Sequence, residues 1–205
     1  NWNTSNVTNT ANMFYQAFNF NQPIGSWDTS RVIDMEYMFV EAPLFNQPIG
    51  NWNTSNVENM KGMFQDATNF NQPIGNWDIS NVTTLENMFF KATSFNQDIG
   101  NWNTSKVTNM KNLFNRATAF NKYIGNWNTS NVTLMYGTFL HAESFNQNIE
   151  FWDTSNVGDM RYLFSRAYAF NQNLSSWCVP NISSQPQDFR ADASFMSGSA
   201  NLYKL

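Results

Sequence analysis

Apolar and polar positions along this chain recur every 25 residues. Trp2, Trp27, Trp52, Trp77, Trp102, Trp127, Trp152 and Trp177 are all of its tryptophans, each 25 positions after the last with no insertion. A fixed period of this size marks a stack of like units, each contacting only its neighbours. In the unit 101–125, NWNTSKVTNMKNLFNRATAFNKYIG, the residues Val107, Met110, Leu113, Phe114 and Ala117 fall at the spacing of one apolar helical face. Lys106, Lys111, Asn112, Asn115 and Arg116 take the other side. The spacing predicts a short amphipathic helix over 107–117. Ser105 precedes it, and Ser5, Ser30, Ser55, Ser80, Ser130 and Ser155 hold the same place, as expected of helix N-caps. Glu58, three residues after Ser55, gives a capping-box pattern.

The other half of the unit keeps Phe120, Ile124 and Trp127 as its large apolar residues, with Gly125 permitting a bend. It predicts a short strand at 126–129. Stacked units would pair such strands in a parallel sheet about 4.8 Å apart, with the wider helices opposite forcing curvature. The fold class expected is therefore α/β, a right-handed curved solenoid with short parallel strands on one face and short helices on the other. Alternation along W-N-T turns Trp and Thr inward and Asn outward. Ile79 replaces that Thr in the fourth unit, as an inward position allows. The outward ladder is then Asn3, Asp28, Asn53, Asp78, Asn103, Asn128 and Asp153, and these seven are the candidate ligand-binding residues.

Seven such units fill residues 1–175. From residue 176 the pattern decays: Trp177, Phe189 and Phe195 keep phase, but VPNISSQPQDF brings two prolines where the helix is expected. Residues 176–205 read as a degenerate eighth repeat acting as a C-terminal cap, because a stack needs a terminal unit to close its last apolar face. Asn1 provides no such cap, and the chain starts inside a repeat without a signal sequence, which suggests a segment of a larger protein.

Composition narrows the function classes. Hydrophobic residues at 41% and aromatics at 17% suffice for the core of one elongated domain, although only 13% of residues are charged. A net charge of -4 with no clustered Lys or Arg argues against nucleic acid, which needs a concentrated basic face. No run of about 18 apolar residues is present to span a membrane. The lone Cys178 cannot form an internal disulfide.

Candidate chemistry is sparse. The ladder carboxylates Asp28, Asp78 and Asp153 never occupy adjacent units, so at about 4.8 Å per unit they stand roughly 10 Å or more apart, too far to share a cation. No metal or cofactor is expected, with calcium as the alternative. A second ladder, Asn21, Asn46, Asn71, Asn96, Asn121, Asn146 and Asn171, follows Phe in each unit and fits turn chemistry. Glu36, Lys61, Glu86 and Lys111 alternate in sign, which suits weak lateral ion pairs. Glu41, Asp66, Lys91, Arg116, His141 and Arg166 instead run from acidic to basic along the array. His141 is the only histidine and no nucleophile, base and orienting group recur together, so no enzyme is expected. Asn-x-Ser/Thr sequons, such as those at Asn53 and Asn103, follow from composition alone.

The string FNQPIGNWNTSNV at 45–57, followed by NMKGMFQDA at 59–67, resembles the leucine-rich-repeat-like units of about 25 residues found in bacterial and protist surface proteins. Those are the repeats of BspA-type adhesins and of mycoplasma and Listeria lipoproteins. The resemblance implies a leucine-rich-repeat-like solenoid in an extracellular or cell-surface, non-enzymatic protein. Its implied role is adhesion, with protein or glycan on another cell or surface as the partner. Two alternatives stand beside this reading. One is a rigid structural stalk, calcium-stabilised or not, that presents another domain. The other is an ice-binding solenoid using a regular Thr array.

Overall fold

The structure is a computed structural model that describes residues 2–193. The unprotected start at Asn1, the in-phase Phe195 and the rest of the expected cap from 194 to 205 lie outside the described residues.

The apolar positions predicted to face inward in the reference unit are inside, while Tyr123 is half exposed. Val107, Met110, Leu113, Phe114, Ala117, Phe120 and Ile124 are fully buried and Trp127 nearly so, and the equivalent residues from Val32 onward continue the same core, while most of those of the first coil are partly buried or exposed. Stacked rings organise it. Phe89, Phe114 and Phe139 stand 5.7 Å apart in parallel planes, Phe95 and Phe120 6.0 Å, and Trp102 and Trp127 6.2 Å. Within a coil Phe114 lies only 3.9 Å from Phe120. Successive coils thus repeat at about the thickness of one aromatic ring plus its neighbour's clearance, a favourable geometry for offset rings.

That spacing overturns the α/β expectation. The described residues contain no helix, and parallel pairing is confined to single bridges linking Asn9, Asp34, Asn59, Thr84, Asn109, Leu134 and Asp159 in series. A helix is about 10–12 Å wide with its side chains and packs 8–10 Å from its neighbour. One helix per coil cannot fit a stack whose rings recur near 6 Å. Segment 107–117 instead divides its amides between two partners. Met110, Asn112, Phe114 and Arg116 donate to Leu134, Tyr136, Thr138 and Leu140 of the next coil at 2.8–2.9 Å. Leu113, Asn115 and Ala117 close turns onto residues three earlier, at 3.0–3.1 Å. The alternation requires left-handed backbone at Asn112 (φ 54°) and Arg116 (φ 61°), which no α-helix tolerates. With the helices goes the difference in width that was to curve the array.

The strand expected at 126–129 is likewise absent, although the direction of its side chains is as expected. Trp127 and Thr129 are buried, Asn128 is exposed, and Ile79 is inside. Both inward polar groups bond across coils. The Trp127 indole N–H donates to the Ile99 carbonyl at 3.0 Å, and the Thr104 hydroxyl donates to the Asn128 carbonyl at 2.9 Å. Ser105 is not an N-cap, since its amide donates to Asn103 Oδ1 at 3.2 Å. The capping acceptor is the Asn or Asp two residues earlier, in an Asx turn.

The eighth coil closes the stack with a slip of one residue. Phe139 N–H donates to Leu163 O, an offset of 24, whereas Phe164 N–H donates to Phe189 O, an offset of 25. Phe189 accordingly meets Phe164 edge-on at 81° and ends the parallel column, while remaining buried.

Three substitutions test this frame. Phe89→Ala should cost about 3–5 kcal/mol in denaturant unfolding, the usual penalty for emptying a buried aromatic site. Gly75→Ala should also destabilise, since a Cβ there collides with the Asp98 backbone carbonyl of the next coil. Glu58→Ala, on the exposed side, should change stability by less than about 0.5 kcal/mol.

Candidate functional site

The outward ladder is where the sequence places it, on the surface, but its side chains are already engaged. Oδ1 of Asn3, Asp28, Asn53, Asp78, Asn103, Asn128 and Asp153 each accepts the amide two residues on, at 2.9–3.2 Å. In four of them the Ser hydroxyl donates to the same oxygen. Hydrogen bonds from the Ser30, Ser80 and Ser155 side chains and amides hold the carboxyls of Asp28, Asp78 and Asp153 below the usual carboxylate range. The ladder is a series of turn caps, and no three His, Cys, Asp or Glu side chains converge on a metal-sized site among the described residues.

The second Asn ladder crosses between coils. Asn121 N–H donates to Asn96 Oδ1 at 3.0 Å and Asn146 N–H to Asn121 Oδ1 at 2.9 Å, and the pattern runs from Asn21 to Asn171. Gln97 and Gln172 add amide donors to the same Asn oxygens. The regular Thr array is also spent internally. Thr29, Thr54, Thr104, Thr129 and Thr154 are buried with their hydroxyls on the next coil's carbonyls. That array presents no face to ice.

Residues that differ from coil to coil form the exposed rows. Lys61 lies 3.9 Å from Glu36 and 3.7 Å from Glu86, and Lys111 lies 3.6 Å from Glu86, the lateral pairs the alternating signs suggested. Beyond them Tyr136 sits between Lys111 and Arg161, whose charges lie 5.9 and 5.4 Å from its ring. Arg161 is tied in turn to Asp159 at 2.7 Å. Leu134 interrupts the row of turn-capping Asn, Asp and Thr side chains here and is exposed.

A second row carries the acid-to-base gradient. Gln16 Nε2 donates to Glu41 at 3.1 Å, Lys91 pairs with Asp66 at 3.1 Å, and Arg166 reaches Asp192 at 3.5 Å. All seven residues of the row from Gln16 to Arg166 have φ between 53° and 61°. Beside it runs a parallel row that includes Thr68, Thr93, Thr118 and Glu143, and a groove of about 260 Å³ opens between the two. His141 lines this groove. Burial, then the charges of Arg116 and Arg166, push its imidazolium pKa below the ordinary histidine range, with Glu143 acting in the opposite sense.

Sequence reasoning placed Asn115 on the outer face, yet it is buried at 5% exposure. It also missed the left-handed positions. Asn12, Gly62, Asn87, Asn112 and Gly137 share one place in the coil, and that bias toward Gly and Asn was the available signal.

The protein family described as Mycoplasma protein of unknown function, DUF285, matches residues 1–102 and again residues 83–201. No curated protein and no solved structure matches the chain. No helix among the described residues is long and apolar enough to cross a membrane.

The capping carboxylates set a pH dependence. Their folded-state pKa is depressed, so their contribution is present above the unfolded value near 3.8 and is lost as pH falls through the lower folded value. The triple variant Asp28→Asn, Asp78→Asn, Asp153→Asn should lose less thermal stability than the parent between about pH 5 and pH 2. Melting curves across that range check it.

Proposed function

The chain belongs to this Mycoplasma repeat family of unknown function, and from that premise we propose that it is a non-enzymatic repeat scaffold displayed at the cell surface. On this reading it serves adhesion by binding protein or glycan on another cell or surface, as the resemblance to BspA-type adhesin repeats implies. The observation that carries the reading is how side chains are divided between frame and surface. Residues identical from coil to coil hold coil to coil, through ring columns, the Asn21–Asn171 ladder and the Trp and Thr bonds. Residues that differ stand on the exposed rows, including the groove beside His141. A rigid frame presenting variable side chains suits recognition, because little conformational freedom remains to be lost on binding. His141 has guanidinium groups and Glu143 around it instead of a nucleophile, and Cys178 is far along the chain in the last coil.

A structural stalk is the second reading, favoured by the unbroken bonding from coil to coil. Its calcium-dependent form needs oxygen ligands to converge. The ladder oxygens instead serve the turns.

Screening the full chain against glycan and extracellular-protein panels separates the two. Binding should appear and should weaken at least about tenfold when charges on the exposed rows are neutralised, one lost charge-assisted contact being worth about 1.5–3 kcal/mol. Absence of binding across both panels, with an unfolding midpoint that holds in EDTA, would leave a calcium-independent stalk and overturn the adhesive reading.

A further inference from the structure

We propose that the groove between the charged row at Arg116 and His141, flanked by Arg166, and the hydroxyl row at Thr93 and Thr118 binds the carboxylate or sulfate groups of an acidic glycan. The proposal rests on the reading of the chain as a binding scaffold and gives that scaffold a site and a ligand class.

Charges along the row are unevenly paired. Asp66 is matched by Lys91 at 3.1 Å. Among the described residues, no carboxylate lies within 4 Å of the Arg116 guanidinium or the His141 ring. Arg166 has Asp192 at 3.5 Å, but both side chains are more than half exposed, and such pairs are worth about 0–1 kcal/mol. The charged groups around His141 are therefore Arg116 and Arg166 on the neighbouring coils and Glu143 on its own, with Asp66, Lys91 and Asp192 further along the row.

These side chains start from fixed roots. Arg116, His141 and Arg166 have φ of 61°, 56° and 58°, and each amide donates to the following coil, on Leu140, Ser165 and Ala191. Their Cα atoms are thus held one coil apart, so the two guanidinium groups are rooted roughly 10 Å from each other at about 4.8 Å per coil. An oxyanion between them meets two permanent cations and an imidazole that can take up a proton.

The opposite wall decides between ligand classes. The Thr93 hydroxyl donates to the Thr68 carbonyl at 3.3 Å and the Thr118 hydroxyl to the Thr93 carbonyl at 3.5 Å, which leaves both oxygens able to accept from a ligand hydroxyl. Apart from the His141 ring, the groove is lined by Thr and charged side chains. A polar chain rich in hydroxyls and regularly spaced anions matches these walls, whereas a peptide anchored by apolar side chains finds no pocket.

His141 is the only histidine, so its imidazole resonances report on the site without ambiguity. The test is an NMR and binding titration of the full chain with an oligogalacturonate, a sulfated oligosaccharide, a neutral maltohexaose, polyglutamate and inorganic sulfate. The acidic oligosaccharides should shift the His141 signals, raise its pKa, and bind more tightly at pH 5.5 than at pH 7.5, as proton linkage requires. Arg116→Gln and Arg166→Gln should each weaken binding at least about fivefold without unfolding the chain, since Gln16 already occupies this place in the first coil at φ 55°. His141→Gln should abolish the pH dependence. Binding of maltohexaose, polyglutamate or sulfate as tightly as the acidic oligosaccharides would overturn the ligand class. Glycan binding that leaves His141 unmoved would overturn the groove while sparing the scaffold reading. No binding by any panel member would overturn the acidic-glycan site, whereas the scaffold reading falls only if the wider glycan and extracellular-protein panels are blank as well.

Discussion

The distance between coils is the constraint on which the rest of this molecule depends. Phe and Trp rings recur near 6 Å along the stack, and at that separation the backbone of each coil can reach its neighbour through every second amide. Once those amides are committed, the residues between them close tight turns and two positions per coil must be left-handed. Burial of the aromatic column supplies the driving force, at about 1.5–3 kcal/mol for each large side chain removed from water. The ladders of Asn, Thr and Trp satisfy the polar groups that this burial would otherwise strand.

Much of this was legible in the 25-residue period. The period identifies the inward residues, including Ile79 and the Thr and Trp positions, because inward and outward places follow from sequence identity between coils without any knowledge of backbone conformation. The backbone was not legible in the same way. Val107, Met110, Leu113, Phe114 and Ala117 satisfy a helical face, yet a run of overlapping turns buries the same five residues. Periodicity alone cannot separate the two, since both turn the chain over a similar number of residues. What separates them is room, and the Trp and Phe columns fix that only once their rings are seen to stack. The recurrent Gly and Asn at 12, 62, 87, 112 and 137 were the local hint.

The candidate surfaces divide along the same line. Asn3 and its equivalents were correctly placed outside, but their regularity reflects turn capping, which any coil needs. The row through Arg116 and His141 is irregular in charge because its side chains carry no such duty; the amide of each residue does the structural work and leaves the side chain free to vary. Variation at a left-handed position is unusual for bulky residues, at about 1–2 kcal/mol of backbone cost. Here the cross-coil amide bond offsets it at every coil, and Gln, Glu, Asp, Lys, Arg and His all occur.

Between the first and seventh coils, the amide ladder through the turns keeps a constant offset of 24, and the Asn ladder one of 25. Whole units can therefore be gained or lost by recombination between like coils without any bond changing its partner type. Length and surface pattern then evolve separately: a duplication extends the rod by one layer and, in the same event, lengthens or repeats whatever charge sequence its exposed rows carry. A molecule built this way inherits its reach and its recognition surface as copy number.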